Sequence, residues 1–159
     1  MALLAAIALS SFVFTANPKG GLEVASVKVY HANARRYPNR KQELAFVNFN
    51  INADLSPLFH WNTKQLFVYL EAEYNNTKSV ENSVVIWDRI IRRKEDAYIK
   101  FAGKNKYMFR EVSTSFKDVP PANYVLKYNV MPYVGVLTYG EAARTSEAAE
   151  FPAAQSRVS

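Results

Sequence analysis

The chain has 159 residues but no cysteine, only two histidines and only five glycines. Without cysteine, disulfides, thiol catalysis and zinc sites built on sulfur are excluded. The few glycines form no phosphate-cradling loop, and neither a Gly-x-Ser-x-Gly elbow nor a His-Glu-x-x-His helix occurs. His31 and His60 do not have metal-ligand spacing. The sequence therefore predicts no catalytic residue, no metal and no cofactor.

Charge is absent from the first eighteen residues, and residues 1–14 are almost continuously apolar. As a helix this run would extend for roughly 27 Å, against a hydrocarbon core of roughly 30 Å. A cleavable signal peptide would carry basic residues before its apolar core, and here none precedes it. We therefore predict that residues 1–17 are a transmembrane anchor, incomplete at its N-terminal side. A signal peptide and a buried helix are the alternatives.

Strand-like alternation dominates the rest of the chain. Residues 44–55 place Val47 and Phe49 on one face and asparagines on the other, and residues 66–73 alternate in the same way. Further short runs include residues 84–91, where Trp87 is expected to pack in the core. The pattern predicts an all-β fold, an antiparallel β-sandwich over residues 22–140. Residues 141–159 are rich in Ala, Ser and Glu and aperiodic, which predicts a mostly disordered tail.

Two features of residues 61–77 suggest function. The tripeptide Asn75-Asn76-Thr77 is an acceptor pattern for N-glycosylation at Asn75, which requires a loop exposed to a secretory lumen. Phe67 and Tyr69 share the polar face of the strand with two glutamates. Aromatic residues on a polar face are typical of protein interfaces. We predict a partner-binding surface made of residues Trp61, Lys64, Phe67 and Tyr69.

The formal net charge of +6 raises the question of a polyanionic partner. Basic residues cluster near Pro38 and after residue 88, but no nucleic-acid-binding motif accompanies them. Solvated loops are the favoured interpretation, and no nucleic-acid partner is predicted. Contact with anionic lipid or an acidic subunit remains an alternative.

Five parts of the chain are considered together, namely the apolar N-terminal run and the segments FVNFNINADLSPLFHWNTKQLFVYLEAEY, NSVVIWDRII, KYMFR and YVLKYNVMPYVGVL. Together they resemble subunit 3 of the eukaryotic signal peptidase complex. The resemblance extends to Phe151-Pro152 near the end of the chain. The pieces WNTKQLF and VIWD, in this order and at this separation, carry most of its specificity.

The resemblance implies a glycosylated, single-pass type II protein of the endoplasmic reticulum membrane with a lumenal β-sandwich. Its implied partners are the catalytic subunit and the small membrane subunits of the complex, and its implied role is accessory, supporting signal-peptide removal. The family's catalytic subunit has a serine nucleophile followed by methionine, and no serine precedes a methionine here. Met1 aligns inside the family's transmembrane helix. The sequon of animal members is missing at Asn123.

Other classes of protein remain open from the residues alone. A free-standing lumenal β-sandwich that binds glycans or lipids is the main alternative to an accessory subunit. A lumenal enzyme comes next, and co-purification with a partner would separate these cases.

Overall fold

A computed structural model describes residues 1–10, 12–13, 17–34, 37–111, 113 and 115–156, with residues 34 and 37–39 described by their backbone alone. Over these residues the chain forms one short helix, two 3-10 turns and seven strands. In chain order the helix and strands are α1 (Ala2–Ser10), β1 (Lys19–Ala34), β2 (Tyr37–Asp54), β3 (Thr63–Asn75), β4 (Glu81–Ile91), β5 (Tyr98–Lys104), β6 (Asn123–Pro132) and β7 (Thr138–Arg144). The predicted all-β class is confirmed.

The strands form two sheets that share one hydrophobic core. One sheet has the order β1-β2-β5 and the other the order β4-β3-β6-β7, and the named strands pair antiparallel throughout. Alternate residues of β2 and β3 point into the space between the sheets, as a period of two requires. The predicted antiparallel β-sandwich is therefore confirmed.

The core is built on the two strands with the cleanest alternation. Six residues of β2 and the segment after it are at most 1% exposed, namely Ala45, Val47, Phe49, Ile51, Ala53 and Leu55. Four residues of β3 are 0% exposed, namely Leu66, Val68, Leu70 and Ala72. Asn50 and Asn52, on the other face of β2, are exposed. Both predicted face assignments are confirmed.

An aromatic cluster joins the two sheets at Trp87. The Trp87 ring lies 6.1 Å from Phe49 of β2 and 5.2 Å from Phe101 of β5, measured between ring centroids. Trp87 is only 4% exposed, so its predicted place in the core is confirmed. Such ring contacts add stability beyond the buried area.

The C-terminal segment corrects one prediction. Residues 141–144 belong to β7, Ala149 exchanges two backbone hydrogen bonds of 2.9 Å with Ala122, and Gln155 pairs with β1 at Tyr30. Phe151 stacks on Phe116 at 4.7 Å. The prediction of a mostly disordered tail is thus wrong for residues 141–156, because one aromatic anchor and the open edge of β1 order a segment that has no periodicity of its own.

The N-terminal helix α1 is nine residues long and has no buried residue. Within the described part of the chain, no helix is both long and apolar enough to cross a bilayer. Residues 11 and 14–16 of the predicted anchor lie outside the described residues. The anchor over residues 1–17 stays a prediction.

Replacing Phe49 by alanine tests the core. The side chain is 1% exposed and touches two other rings, so Phe49→Ala should lower the free energy of unfolding by about 3–5 kcal/mol. Asn50→Ala, one residue away on the exposed face, should cost less than about 0.5 kcal/mol. Denaturant unfolding of the two variants in detergent measures both values. Equal midpoints would contradict the face assignment.

Candidate partner-binding face and glycosylation site

The outer face of the four-stranded sheet carries the predicted partner-binding residues. β3 lies between β4 and β6, so the residues that alternate with its buried ones point away from the core. Phe67 pairs with Ile90 of β4 and with Asn129 of β6, which in turn pairs with Tyr139 of β7. Paired residues share a face, so these four side chains form one row across the sheet.

Apolar and aromatic groups dominate the part of the face around this row. Phe67 and Tyr69 stack with centroids 5.6 Å apart and an interplanar angle of 28°. Ile90 is 51% exposed and Tyr139 is 80% exposed. We call these four residues the aromatic patch. Phe67 and Tyr69 themselves are half-buried. Because aromatic groups often supply much of the binding energy at interfaces, this patch is suited to a protein partner.

Next to the aromatic patch lies an ion-pair network of Glu71, Glu73, Lys127, Glu141 and Arg144. The Lys127 Nζ lies 2.7 Å from a Glu71 carboxylate oxygen and 3.0 Å from one of Glu73. Arg144 contacts Glu73 at 3.1 Å and Glu141 at 2.9 Å. The network links β3, β6 and β7 and holds their outer side chains in one arrangement.

These contacts shift the pKa values of Lys127 and Glu73. The hydrogen bond from Lys127 to Glu71 raises the pKa of the lysine above its ordinary value, and the contact with Glu73 adds to this. Partial burial by itself would raise the pKa of Glu73, but hydrogen bonds from Lys127 and Arg144 outweigh it and lower that pKa. Lys127 and Glu73 therefore stay charged at neutral pH.

A second contact holds the edge strand β4. Asp88 pairs with Tyr69 across the strands, and its carboxylate accepts hydrogen bonds of 2.6 Å from both Lys106 Nζ and the Tyr107 hydroxyl. These bonds lower the pKa of Asp88. The backbone amides of Lys106 and Tyr107 also donate to the carbonyl of Ile86. The loop after β5 is thus attached to the edge of the sheet.

The four predicted partner-binding residues do not form one cluster: two lie on the outer sheet face, and two lie at or before the start of β3. Phe67 and Tyr69 stack on the outer face, and Lys64 lies exposed at an irregularity near the start of β3. Trp61 lies in the turn before β3 and is 56% exposed. A buried Asn62 follows it, so the chain turns there before the strand begins.

Sequence reasoning missed several members of this face. Lys127 could have been found, because Leu126 and Tyr128 alternate inward and place it outward. Tyr139 and Arg144 lie in β7, whose last four residues were predicted to belong to the disordered tail. Ile90 is followed directly by a second isoleucine, and two adjacent apolar residues do not show which of them points outward.

Asn75, the predicted glycosylation site, is the last residue of β3 and is exposed. The next residue, Asn76, shapes the turn, since its side-chain oxygen accepts hydrogen bonds of 2.9 Å from the amides of Lys78 and Val80. Ser79 adopts a positive φ of 59° in the same turn. The acceptor asparagine therefore projects from a well-defined hairpin end.

The two histidines serve different local contacts. His60 lies in the connection before β3, where its Nδ1 accepts a hydrogen bond of 3.2 Å from the amide of Asn62, and burial lowers its pKa. His31 lies in β1, paired with Glu43 of β2. Among the described residues, no group of three or more His, Cys, Asp or Glu side chains could hold a metal ion.

Together these features define a β-sandwich with an aromatic patch on one sheet face, preceded in the chain by an apolar N-terminal segment. Residues 1–154 match the model of a family described as signal peptidase subunit. The chain belongs to this signal peptidase subunit family. Its relatives support an accessory subunit of the signal peptidase complex in the endoplasmic reticulum membrane.

Three relatives, each named signal peptidase complex subunit 3, illustrate the match. The Saccharomyces cerevisiae protein is 45% identical over 60% of this chain and 52% of its own length. The Yarrowia lipolytica protein is 36% identical over 85% of this chain and 76% of its own. The Caenorhabditis elegans protein is 38% identical over 86% and 76%. The alignment thus spans about half of the first relative and three quarters of the others.

Glycosylation at Asn75 can be tested on a gel. The chain made in a secretory compartment should shift on glycosidase treatment, because its acceptor is exposed at a hairpin end. Asn75→Gln and Thr77→Ala should remove the shift. Asn76→Gln is the matched control, since it alters the turn but keeps the acceptor pattern. An unshifted wild-type band would remove the site.

Acid titration tests the ion-pair network. Because its pKa is lowered in the folded state, Glu73 stabilises the fold above the ordinary glutamate value of 4.5 and loses this effect as the pH falls below it. Glu73→Gln should therefore cost roughly 0.5–1 kcal/mol at neutral pH and progressively less in acid. Urea unfolding at a series of pH values measures the difference. Glu81→Gln, at the exposed start of β4, is the control; a constant cost for Glu73→Gln would contradict the assignment.

Proposed function

We propose that this chain is a non-catalytic accessory subunit whose sandwich docks on the catalytic subunit of the signal peptidase complex. It supports the removal of signal peptides from nascent secretory and membrane proteins. The observation that carries the proposal is the aromatic patch on an uncovered sheet face in a member of this family. The small membrane subunits of the complex are its further partners.

A non-catalytic role is supported by the residue inventory. Met1, Met108 and Met131 follow no serine, so the nucleophile pattern expected of the catalytic subunit does not occur in the sequence. His31 and His60 lie in different elements and make different local contacts. The outer face instead combines apolar contact area with ion pairs, the composition of a protein interface.

The proposed membrane topology depends on the apolar N-terminal segment. With the apolar segment 1–17 as a single-pass type II anchor, the sandwich lies on the lumenal side. Asn75 ends β3, whose first residue, Thr63, pairs with Pro132 at the opposite end of the sheet. Twelve residues separate Thr63 from Asn75, about 40 Å for an extended strand. A glycan at Asn75 would therefore stand well away from the membrane-proximal end.

The mechanism is positional. Phe67, Tyr69 and Lys64 form the proposed contact, with the ion-pair network beside them keeping the sheet face rigid. A rigid face can hold a catalytic subunit at a constant height and orientation over the bilayer. Because catalysis depends steeply on the geometry of approach, such positioning can be essential without any reactive group.

Removing the stacked pair tests this contact. Phe67→Ala/Tyr69→Ala in the full chain should lower co-immunoprecipitation of the catalytic subunit, since truncated interface anchors commonly cost about 2–4 kcal/mol, roughly 30-fold or more in affinity. Val80→Ala, an exposed apolar residue in the β3–β4 connection, is the matched control.

Circular dichroism decides between the two ways in which this experiment can fail. Normal association by a folded double variant would overturn the proposed contact. Loss of the β-sheet spectrum would instead show that Phe67 and Tyr69 stabilise the fold. The single variants Phe67→Leu and Tyr69→Leu, which keep apolar volume, would then carry the test.

A further inference from the structure

One end of the sandwich gathers exposed apolar and aromatic residues beside the N-terminal helix. β3 begins at Thr63 opposite Pro132, the last residue of β6. The β2–β3 and β6–β7 connections therefore meet at this end. Their exposed large side chains are Trp61, Tyr133, Val136 and Leu137, between 43% and 71% exposed. We call these four residues the anchor-end rim.

The two connections are joined by hydrogen bonds. Asn62, which is 1% exposed, donates from its side-chain nitrogen to the Val134 carbonyl at 2.7 Å and accepts from the Val134 amide at 3.1 Å. The Tyr133 amide donates to the Asn62 carbonyl at 2.9 Å. Trp61 precedes Asn62 in one connection, and Tyr133 precedes Val134 in the other. The hydrogen bonds between the two connections therefore hold both exposed aromatic residues at this end of the sandwich.

The helix α1 touches this structure. Ala8 lies so close to Gly135 that a side-chain carbon there would come within 3.2 Å of the Ala8 Cβ. Gly135 has a φ of +118°, a conformation that L side chains rarely adopt. The anchor-end rim is thus continuous with an apolar helix.

The surface of α1 identifies the chemistry that covers it. Leu3, Leu4 and Leu9 are exposed, and the helix has no polar face. Its one polar side chain, Ser10, donates to the carbonyl of Ile7 at 2.7 Å. Satisfying a hydroxyl within the helix suits a hydrocarbon environment, where water is not available.

The composition of the anchor-end rim matches the next layer of a bilayer. Trp and Tyr have an apolar body and a polar tip, and they concentrate where headgroups meet acyl chains. Val136 and Leu137 supply the apolar area that shallow insertion needs. The neighbouring β4–β5 connection, RRKED, carries both signs of charge, with Arg93 and Asp96 4.0 Å apart. Aromatic and apolar insertion, rather than net charge, is therefore the fitting mode of contact.

We propose that the anchor-end rim inserts into the headgroup–acyl boundary of the phospholipid bilayer, so that the sandwich lies directly on the membrane surface. This inference rests on the membrane attachment implied by the family. It does not need the contact of Phe67 and Tyr69 with the catalytic subunit, so the two proposals can fail separately.

The two tryptophans of the chain make the test specific, because Trp61 is 56% exposed whereas Trp87 is 4% exposed. The full chain is reconstituted into phosphatidylcholine nanodiscs whose lipids carry bromine either near the headgroup or near the chain end. Trp61 emission should fall by about twofold with the shallow label and less with the deep one. Trp61→Phe leaves only the buried Trp87 and should show little quenching.

A set of substitutions then probes the rest of the anchor-end rim. Tyr133→Ser/Val136→Ser/Leu137→Ser should reduce the quenching of Trp61 by the shallow label. Val80→Ser, in the β3–β4 connection, should leave it unchanged. Quenching should persist at high salt, because insertion of neutral side chains is not screened.

Three results would overturn the proposal. Trp61 emission that is insensitive to both labels would place the anchor-end rim in water. Quenching that requires anionic lipid and disappears at high salt would indicate an electrostatic contact. Shielding of Trp61 that appears only when the catalytic subunit is added would assign the rim to a protein interface.

Discussion

The packing of β2 against β3 across the sandwich is the constraint on which the other features depend. Both strands bury every second residue almost completely, and the side-chain period of a strand is two. A slip of one residue in either strand would exchange its buried and exposed sets, at a cost of several large apolar side chains. The inner faces therefore determine which residues point outward.

The outer face of β3, proposed above as the docking face, is a consequence of this arrangement. Because Leu66, Val68 and Leu70 are committed to the core, Phe67 and Tyr69 must lie on the opposite side of β3. Pairing with β4 and β6 then determines which side chains accompany them. The ion-pair network is formed across strands by residues far apart in the chain, such as Glu73 and Arg144. Its geometry depends on the fold, and its contribution is to keep a preformed surface in one arrangement.

Local periodicity explains which parts of this structure could be predicted from sequence. β2 and β3 alternate cleanly over many residues, so their existence, their faces and the burial of Phe49 were predictable. The segment after Arg144 has no such pattern, and the structure orders it through Phe151 and the edge of β1. Phe109 likewise pairs with Ala45 in a single isolated bridge outside the named strands. Contacts between distant segments decide such cases, and one sequence does not contain them.

The same limit applies to the candidate sites. The stacking of Phe67 on Tyr69 follows from their spacing in a strand, whereas the joining of Trp61 and Tyr133 through Asn62 needs two connections from distant parts of the chain. When these sites are placed on the fold, the two ends of the molecule differ in character. Its apolar helix and anchor-end rim lie at one end, its candidate glycan acceptor lies at the other, and its aromatic patch lies on the side between them. A protein with three such differently directed surfaces can specify both the distance of a bound partner from a membrane and that partner's orientation, as the proposed accessory role requires.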